Sequence, residues 1–288
     1  MELGAIALLV AAAVMHSTWN LLAKRSLDKQ VFLWLAMCAC SLFFLVPVLY
    51  IWQPVKPAAW LLILLSGVFE AVYYTVLGKA YQSYDLSLIY PLARGSAPLF
   101  VVVLAFVFLR ESIPASGAAG ILLIVTGIYT LHIKRLSREG LVAPLIGMRE
   151  HNSRIGLLCG LSIACYSVVD KAGVALVRPE QYIYLVFLAS CVFLAPRMLI
   201  HRRPQINVEW SRNAPRVLVT AILNLGAYFL VLVAMTQTKV SYVSGVREMS
   251  IVLGALMGTL LLKEPFGKSK ILGSVLIFCG ILCISLLK

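Results

Sequence analysis

The chain has 288 residues, of which 61% are hydrophobic and 13% are charged, and its formal net charge is +13. A soluble protein of this composition would expose large apolar patches, so the composition excludes that class and favours a membrane protein. The basic residues are scattered over many polar breaks and form no single stripe, so the charge does not indicate a nucleic-acid partner.

Apolar runs of about 20 residues recur along the chain, and each is long enough to cross a hydrocarbon core of roughly 30 Å as a helix. The first run has no basic residue before it and is longer than a signal-peptide core, so we interpret it as a retained helix. Ten spans are predicted, at residues 3–23, 31–52, 58–80, 85–109, 113–133, 154–176, 181–200, 213–236, 240–262 and 268–287.

The chain is duplicated. A shift of 153 residues carries Arg94 onto Arg247 within the matched segments 86–131 and 239–284. Each copy holds five spans, and because five is odd the second copy enters the membrane from the opposite face, as in many transporters. The predicted fold is an all-α polytopic membrane protein with two inverted five-helix repeats around a central cavity. Its parts are a first repeat at 1–133, an inter-repeat loop at 134–153 and a second repeat at 154–288.

Six spans carry polar side chains at intervals of three or four residues, which places them on one helical face. They are the first, third, fourth, sixth, eighth and ninth spans, which form three pairs of equivalent helices. A cavity lined by both repeats would produce this pairing, and the fifth and tenth spans are predicted to lie outside it. The predicted substrate-binding residues are His16, Trp19, Asn20, Glu70, Tyr73, Tyr74, Tyr90, Arg94, Tyr166, Asn224, Tyr228, Ser244, Arg247 and Glu248.

Charged groups among these residues indicate the substrate class. A charge at bilayer depth costs roughly 2.5 to 3.5 kcal/mol, so Arg94, Arg247, Glu70 and Glu248 must pair with each other, with solvent or with substrate. Two arginines and two glutamates framed by aromatic side chains favour a small zwitterion, whose carboxylate meets an arginine and whose amine meets an acid or an aromatic face. Structural pairing of the four groups is the alternative interpretation.

Glu70 is the candidate for proton coupling. It lies halfway along the third span beside Tyr73 and Tyr74, where apolar surroundings disfavour a charged carboxylate. Two alternatives stay open: Glu70 pairs with an arginine and remains charged, or the protein is a facilitator driven by its substrate gradient. Glu248 is the weaker candidate because Arg247 is adjacent.

Other polar residues have structural interpretations. Glu111 and Glu264 are each predicted to cap the helix that follows, because a carboxylate satisfies free N–H groups there. Asp170 and Lys171 either line the site or meet lipid headgroups. The seven cysteines all lie inside apolar runs and are interpreted as packing residues, so no disulfide framework, metal site or cofactor is expected.

Several local patterns resemble the EamA family of the drug/metabolite transporter superfamily. They are the Trp19-Asn20 pair, the Ala, Ser and Pro pattern of residues 80–98, and the turns Leu109-Arg110-Glu111 and Leu262-Lys263-Glu264. The resemblance covers essentially the whole chain and implies an exporter of amino acids, other metabolites or drugs. It also implies that both termini face the cytoplasm, whereas lysines and arginines concentrate opposite the N-terminus and predict both termini outside.

We therefore predict a secondary transporter of the cell (inner) membrane that moves a small amphipathic or zwitterionic metabolite. Its expected partners are the substrate and the lipid bilayer, with protons as a candidate. The expected oligomeric state is a monomer or a weak homodimer. An enzyme is not expected, because no H-E-x-x-H motif or paired intramembrane aspartates occur. The alternatives are a multidrug or quaternary-amine transporter, a sugar-phosphate exchanger and a non-transporting receptor or scaffold.

Overall fold

Helices form all the regular structure in the part of the chain that the computed structural model describes, residues 1–83, 86–131, 133, 151–262 and 268–286. The first repeat contains α1 (Leu3–Lys24), α2 (Lys29–Phe43), α3 (Leu45–Tyr50), α4 (Pro57–Ser83), α5 (Leu86–Leu109) and α6 (Ala115–Leu131). The second contains α7 (His151–Gly173), α8 (Pro179–His201), α9 (Arg203–Gln237), α10 (Val240–Arg247), α11 (Met249–Leu262) and α12 (Lys268–Leu286).

Five helices are long and apolar enough to cross a membrane, namely α1, α4, α7, α8 and α9. The described apolar parts of α2, α5 and α6 are shorter helices. The all-helical class is therefore confirmed, while the count of ten spans stays a prediction. The predicted inter-repeat loop lies largely outside the described residues.

Two of the predicted spans are each divided into two helices. The second span breaks at Phe44, because Pro47 has no N–H to donate to the carbonyl of Phe43. The ninth span breaks at Glu248, whose N–H donates to the Gly245 carbonyl at 3.1 Å in a tightened last turn of α10. The second break lies beside Arg247, so both charged residues of this span stand at a helix junction.

Helix α9 begins at Arg203, well before the predicted start at residue 213. The reason is a set of hydrogen bonds to a distant segment of the chain, which a hydropathy pattern does not reveal. The buried Glu209 carboxylate accepts hydrogen bonds from the N–H groups of Leu27 at 3.0 Å and Asp28 at 2.8 Å, in the turn between α1 and α2. This polar extension is thereby held as helix against the first repeat.

The packing between repeats is symmetric. Helix α1 packs on α9 as α4 packs on α7, and α2 packs on α9 as α4 packs on α8. Two further contacts join a helix to its own counterpart, α2 to α8 and α6 to α12. The two repeats are thus related by an approximate two-fold axis, and the polar faces of α1, α4, α7 and α9 are brought together.

Glycines set the close approach of α6 to α12. A Cβ atom on Gly120 would lie 2.8 Å from the Gly280 carbonyl oxygen, and one on Gly127 would lie 2.7 Å from the Gly273 carbonyl oxygen. The shift of 153 residues converts one of these contacts into the other. Neither helix contributes a described residue to the cavity below, so the crossing serves packing.

Candidate functional site

A cavity lies between the repeats and is lined by helices of both. Most of the predicted site residues line it, and α8 contributes one aromatic side chain that the polar-stripe pattern missed. The polar and aromatic lining residues are His16, Trp19, Glu70, Tyr73, Tyr74, Arg94, Tyr166, Phe187, Asn224, Tyr228, Arg247 and Ser250.

Three predicted site residues with described side chains are not in this lining. Asn20 donates from Nδ2 to the His16 carbonyl at 3.0 Å within its own helix, and Ser244 is buried away from the cavity. Glu248 is buried behind Arg94. The Tyr90 side chain lies outside the described residues.

Arg94 is buried and bound to both repeats. Its Nη1 atom lies 3.5 Å from Glu248 Oε1, and its Nη2 atom donates to Ser250 Oγ at 3.1 Å. Nη2 also lies 2.7 Å from His16 Nε2, which must accept because a guanidinium can only donate. Arg94 therefore ties α5 of the first repeat to the α10–α11 break of the second.

Arg247 has a different environment, although it is the repeat equivalent of Arg94. Its Cζ atom lies 5.2 Å from the centre of the Tyr228 ring, a cation–π geometry. Among the described side chains, no carboxylate forms an ion pair with it. Its guanidinium also donates to Tyr166, and the carboxylates of Glu70, Asp170 and Glu248 attract it from beyond ion-pair distance. The cavity wall thus presents one cation with no carboxylate of the described residues in direct contact.

Asp170 lies fully buried beside the cavity. It accepts hydrogen bonds from Ser66 Oγ at 2.5 Å, from the Tyr182 hydroxyl at 2.9 Å and from the Tyr228 hydroxyl. Three hydroxyl donors suit an ionised carboxylate, which can only accept. Because Asp170 holds the hydroxyl of Tyr228, it fixes the ring on which Arg247 lies.

The headgroup interpretation is therefore wrong for Asp170, which is fully buried, and it stays a prediction for the partly exposed Lys171. The Lys171 Nζ atom donates to the carbonyls of Met235 and Thr238, the latter at 2.8 Å. Packing of α7 against α4 and α9 encloses this end of the helix, and a single sequence does not show which neighbours a helix end will have.

Glu70 is 4% exposed, and its partner comes from α8. Ser190 Oγ lies 3.1 Å from Glu70 Oε2, but it also lies 2.9 Å from the Val186 carbonyl and 3.2 Å from the Gly67 carbonyl. A hydroxyl has one proton, so it cannot serve three acceptors fully. If Glu70 carried a proton, it would donate to Ser190 Oγ, and the Ser190 hydroxyl hydrogen would then be left to donate to a carbonyl oxygen.

Sequence reasoning missed three residues of the site, Phe187, Ser190 and Ser250. Phe187 stacks on Tyr228 with the ring centres 6.4 Å apart. The only available signal was the interval of three between Phe187 and Ser190 on one helical face. An aromatic and a serine do not distinguish that face from ordinary packing.

Aromatic rings make up much of the remaining wall. The Tyr166 ring lies 6.0 Å from Tyr73 and 5.8 Å from Tyr228, both edge-on, and Trp19 lies 4.8 Å from His16. Trp19 Nε1 is buried and has no hydrogen-bond partner among the described residues. A buried donor of this kind is satisfied by a bound acceptor or by water.

Glu111 lies outside the cavity and corrects a sequence prediction. Its carboxylate accepts from the Val240 N–H at 2.9 Å and from Ser241 Oγ at 2.9 Å. It therefore caps α10 of the second repeat, and not the helix that follows it in the chain. Glu264, its repeat equivalent, lies outside the described residues.

Comparisons with known proteins agree with this architecture. The model of the EamA-like transporter family matches residues 3–133 and 155–286. The "Uncharacterized transporter YwfM" of Bacillus subtilis (strain 168) is 25% identical over 236 residues, covering 80% of this chain and 75% of that protein. A solved structure, described as "Crystal structure of protein", shares the fold with a TM-score of 0.77 and 16% identity, over 100% of this chain and 98% of that one. The family match over both repeats shows that the chain belongs to the EamA-like transporter family, and it is a multi-pass membrane transporter.

Proposed function

We propose that the protein is a secondary transporter that carries a small zwitterionic metabolite, such as an amino acid, out across the cell (inner) membrane by alternating access. The observation that carries this proposal is the difference between the two equivalent arginines. Arg94 is engaged by Glu248, whereas Arg247 lies at the cavity wall and forms no ion pair with a described carboxylate.

The carboxylate of the substrate is assigned to Arg247. A guanidinium binds a carboxylate through two parallel hydrogen bonds, and the low dielectric of a buried site strengthens them. The unpartnered indole N–H of Trp19 supplies a second donor in the same cavity. The Trp19 indole donor is neutral and the Arg247 guanidinium is positively charged, so both donors favour an anionic group in the cavity.

The amine of the substrate is assigned to Glu70 and the tyrosine faces. Glu70 lines the cavity together with Tyr73 and Tyr166, and an ammonium group is attracted by a carboxylate and by aromatic rings. With Arg94 and Glu248 paired, and with the Asp170 carboxylate held by three hydroxyl donors, Arg247 and Glu70 are the charged lining groups that remain for a ligand. This balance matches a molecule with one positive and one negative group.

The same balance argues against the alternative substrates. A sugar phosphate carries about two negative charges and would require both arginines, but Arg94 is already bound by Glu248, His16 and Ser250. A quaternary amine would fit the aromatic wall but would be repelled by Arg247. Neither class uses the whole set of lining groups.

Uptake into liposomes containing the purified protein tests the proposal. Labelled amino acids, choline and a sugar phosphate are compared in wild type and in Arg247→Ala, with Arg178→Ala as the control because Arg178 is half exposed and lies outside the cavity. We expect saturable amino-acid transport that Arg247→Ala abolishes. If only choline or only the sugar phosphate is transported, the proposed zwitterionic substrate class is wrong. If none of the three solutes is transported, a receptor or scaffold is favoured.

A further inference from the structure

Two cysteines occupy equivalent positions in the two repeats and touch each other. Cys38 on α2 and Cys191 on α8 are related by the shift of 153 residues that relates Arg94 to Arg247, and their Sγ atoms lie 3.1 Å apart. Both thiols are free and half-buried. Trp34 Nε1 donates to the Cys191 carbonyl at 3.1 Å, which further fixes α8 against α2.

Contact between equivalent residues places this pair on the approximate two-fold axis. The glycine crossing of α6 and α12 also lies on this axis, because the shift of 153 residues converts its Gly120–Gly280 contact into its Gly127–Gly273 contact. In alternating access by inverted repeats, the two repeats exchange conformations. A residue pair that the exchange maps onto itself keeps the same separation in both states, so the Cys38–Cys191 contact is a pivot.

We propose that Cys38 and Cys191 form a reversible disulfide at this pivot, and that the oxidised protein still transports. The transport part rests on the proposed function, whereas the disulfide does not. The two sulfur atoms need to approach from 3.1 Å to about 2.05 Å. Two thiols lose two protons and two electrons to hydrogen peroxide, its O–O bond breaks, one S–S bond forms and two water molecules leave.

An off-axis contact provides the contrast. A Cβ atom on Gly160 of α7 would lie 2.2 Å from Ser96 Oγ on α5, so these helices of opposite repeats are closely apposed. Their repeat equivalents are Ala13 and Met249, and Ala13 lines the open cavity. Exchange of the two conformations would give Ser96 and Gly160 the arrangement that Ala13 and Met249 have in this structure, so this contact is not fixed by the symmetry as the cysteine pair is. A covalent link there blocks the cycle.

The test combines a peptide map with transport. Reconstituted wild type is treated with hydrogen peroxide, and we expect a Cys38–Cys191 linked peptide that dithiothreitol removes, with uptake within about twofold of the untreated protein because the pivot is unchanged. Cys38→Ser and Cys191→Ser should give no such peptide. The control is Ser96→Cys with Gly160→Cys in a Cys38→Ala, Cys191→Ala background, where oxidation should stop uptake and dithiothreitol should restore it. Uptake by the reduced control is measured first, because a Cβ at position 160 would also lie 2.7 Å from the Ala93 carbonyl oxygen.

Each outcome decides one part. Absence of the linked peptide in wild type overturns the disulfide site. A linked peptide together with uptake that is lost on oxidation and recovered on reduction overturns the pivot. If the untreated protein transports none of the solutes, the proposed function fails, while the peptide map still decides the disulfide.

Discussion

Arg94 and Glu248 form an ion pair across the repeat boundary, with Nη1 and Oε1 3.5 Å apart and side chains that are 5% and 2% exposed. The equivalent arginine, Arg247, has no such partner among the described residues. Both arginines line the cavity, but two positions that a duplicated sequence makes alike have different partners: Arg94 joins the repeats through Glu248, and Arg247 does not.

Arg94→Ala is expected to destabilise the protein by about 3 to 5 kcal/mol, because it leaves the buried Glu248 carboxylate without its cation. Thermal unfolding in detergent measures the effect. Replacing both groups at once, Arg94→Met with Glu248→Leu, should recover most of the lost stability, since no charge is then left unpaired. An unfolding temperature unchanged by Arg94→Ala would show that the pair is not structural.

Arg247→Ala is expected to weaken substrate binding with a smaller loss of stability than Arg94→Ala, because its guanidinium contacts the rings of Tyr228 and Tyr166 and forms no ion pair with a described carboxylate. Loss of a charged hydrogen bond of about 1.5 to 3 kcal/mol weakens affinity by roughly ten- to a hundredfold. Arg247→Lys should rescue only partly, since lysine lacks the planar fork. Ligand-induced thermal shifts provide the measurement, and wild-type shifts in both variants would contradict the assignment.

Glu111→Ala is expected to lower stability by about 1 to 3 kcal/mol, because the N-terminus of α10 loses its acceptor. The matched control is Glu180→Ala, whose ion pair with Arg178 is largely exposed and should contribute little. Thermal unfolding of the two variants separates the effects. Equal unfolding temperatures would mean that the contact across the repeats is not stabilising.

The sequence predicts the architecture well because periodic patterns report it. Duplication and the three-residue and four-residue spacing identify the helical faces that meet at the cavity. Partner choice is different, since it depends on contacts between distant segments. Nothing local indicates that Glu248 binds Arg94 and not adjacent Arg247, that three hydroxyl groups surround Asp170, or that Glu111 caps α10.

Gly127→Ala is expected to destabilise the α6–α12 crossing by about 1 to 3 kcal/mol, because the added Cβ would lie 2.7 Å from the Gly273 carbonyl oxygen, a backbone atom that cannot rotate away. Gly254→Ala is the matched control, since a Cβ atom added there would have no described atom within 4 Å. Unfolding midpoints should fall for the first variant alone. Equal midpoints would show that the crossing relaxes freely.

Glu70 is expected to bind either a proton or the substrate amine. In the empty cavity, a proton on Glu70 completes the hydrogen bonds around Ser190, which has one hydroxyl hydrogen and three neighbouring acceptors. An arriving ammonium would form an ion pair with Glu70 and release that proton. The charged groups that act on Glu70 are Asp170, whose carboxylate accepts three hydroxyl hydrogen bonds, and the Arg247 guanidinium.

Competition of this kind makes transport follow pH. As pH falls, the proton competes better, so the apparent substrate affinity of wild type should fall, and a proton gradient should drive solute in the opposite direction. Glu70→Gln removes the titrating carboxylate, so the variant should bind substrate more weakly and its affinity should no longer change with pH. Glu180→Gln, at a partly exposed position outside the cavity lining, should behave as wild type. Uptake into liposomes with and without an imposed pH gradient provides the measurement. If wild-type uptake does not depend on the imposed pH gradient, proton coupling is wrong and the protein is a facilitator driven by its substrate gradient alone.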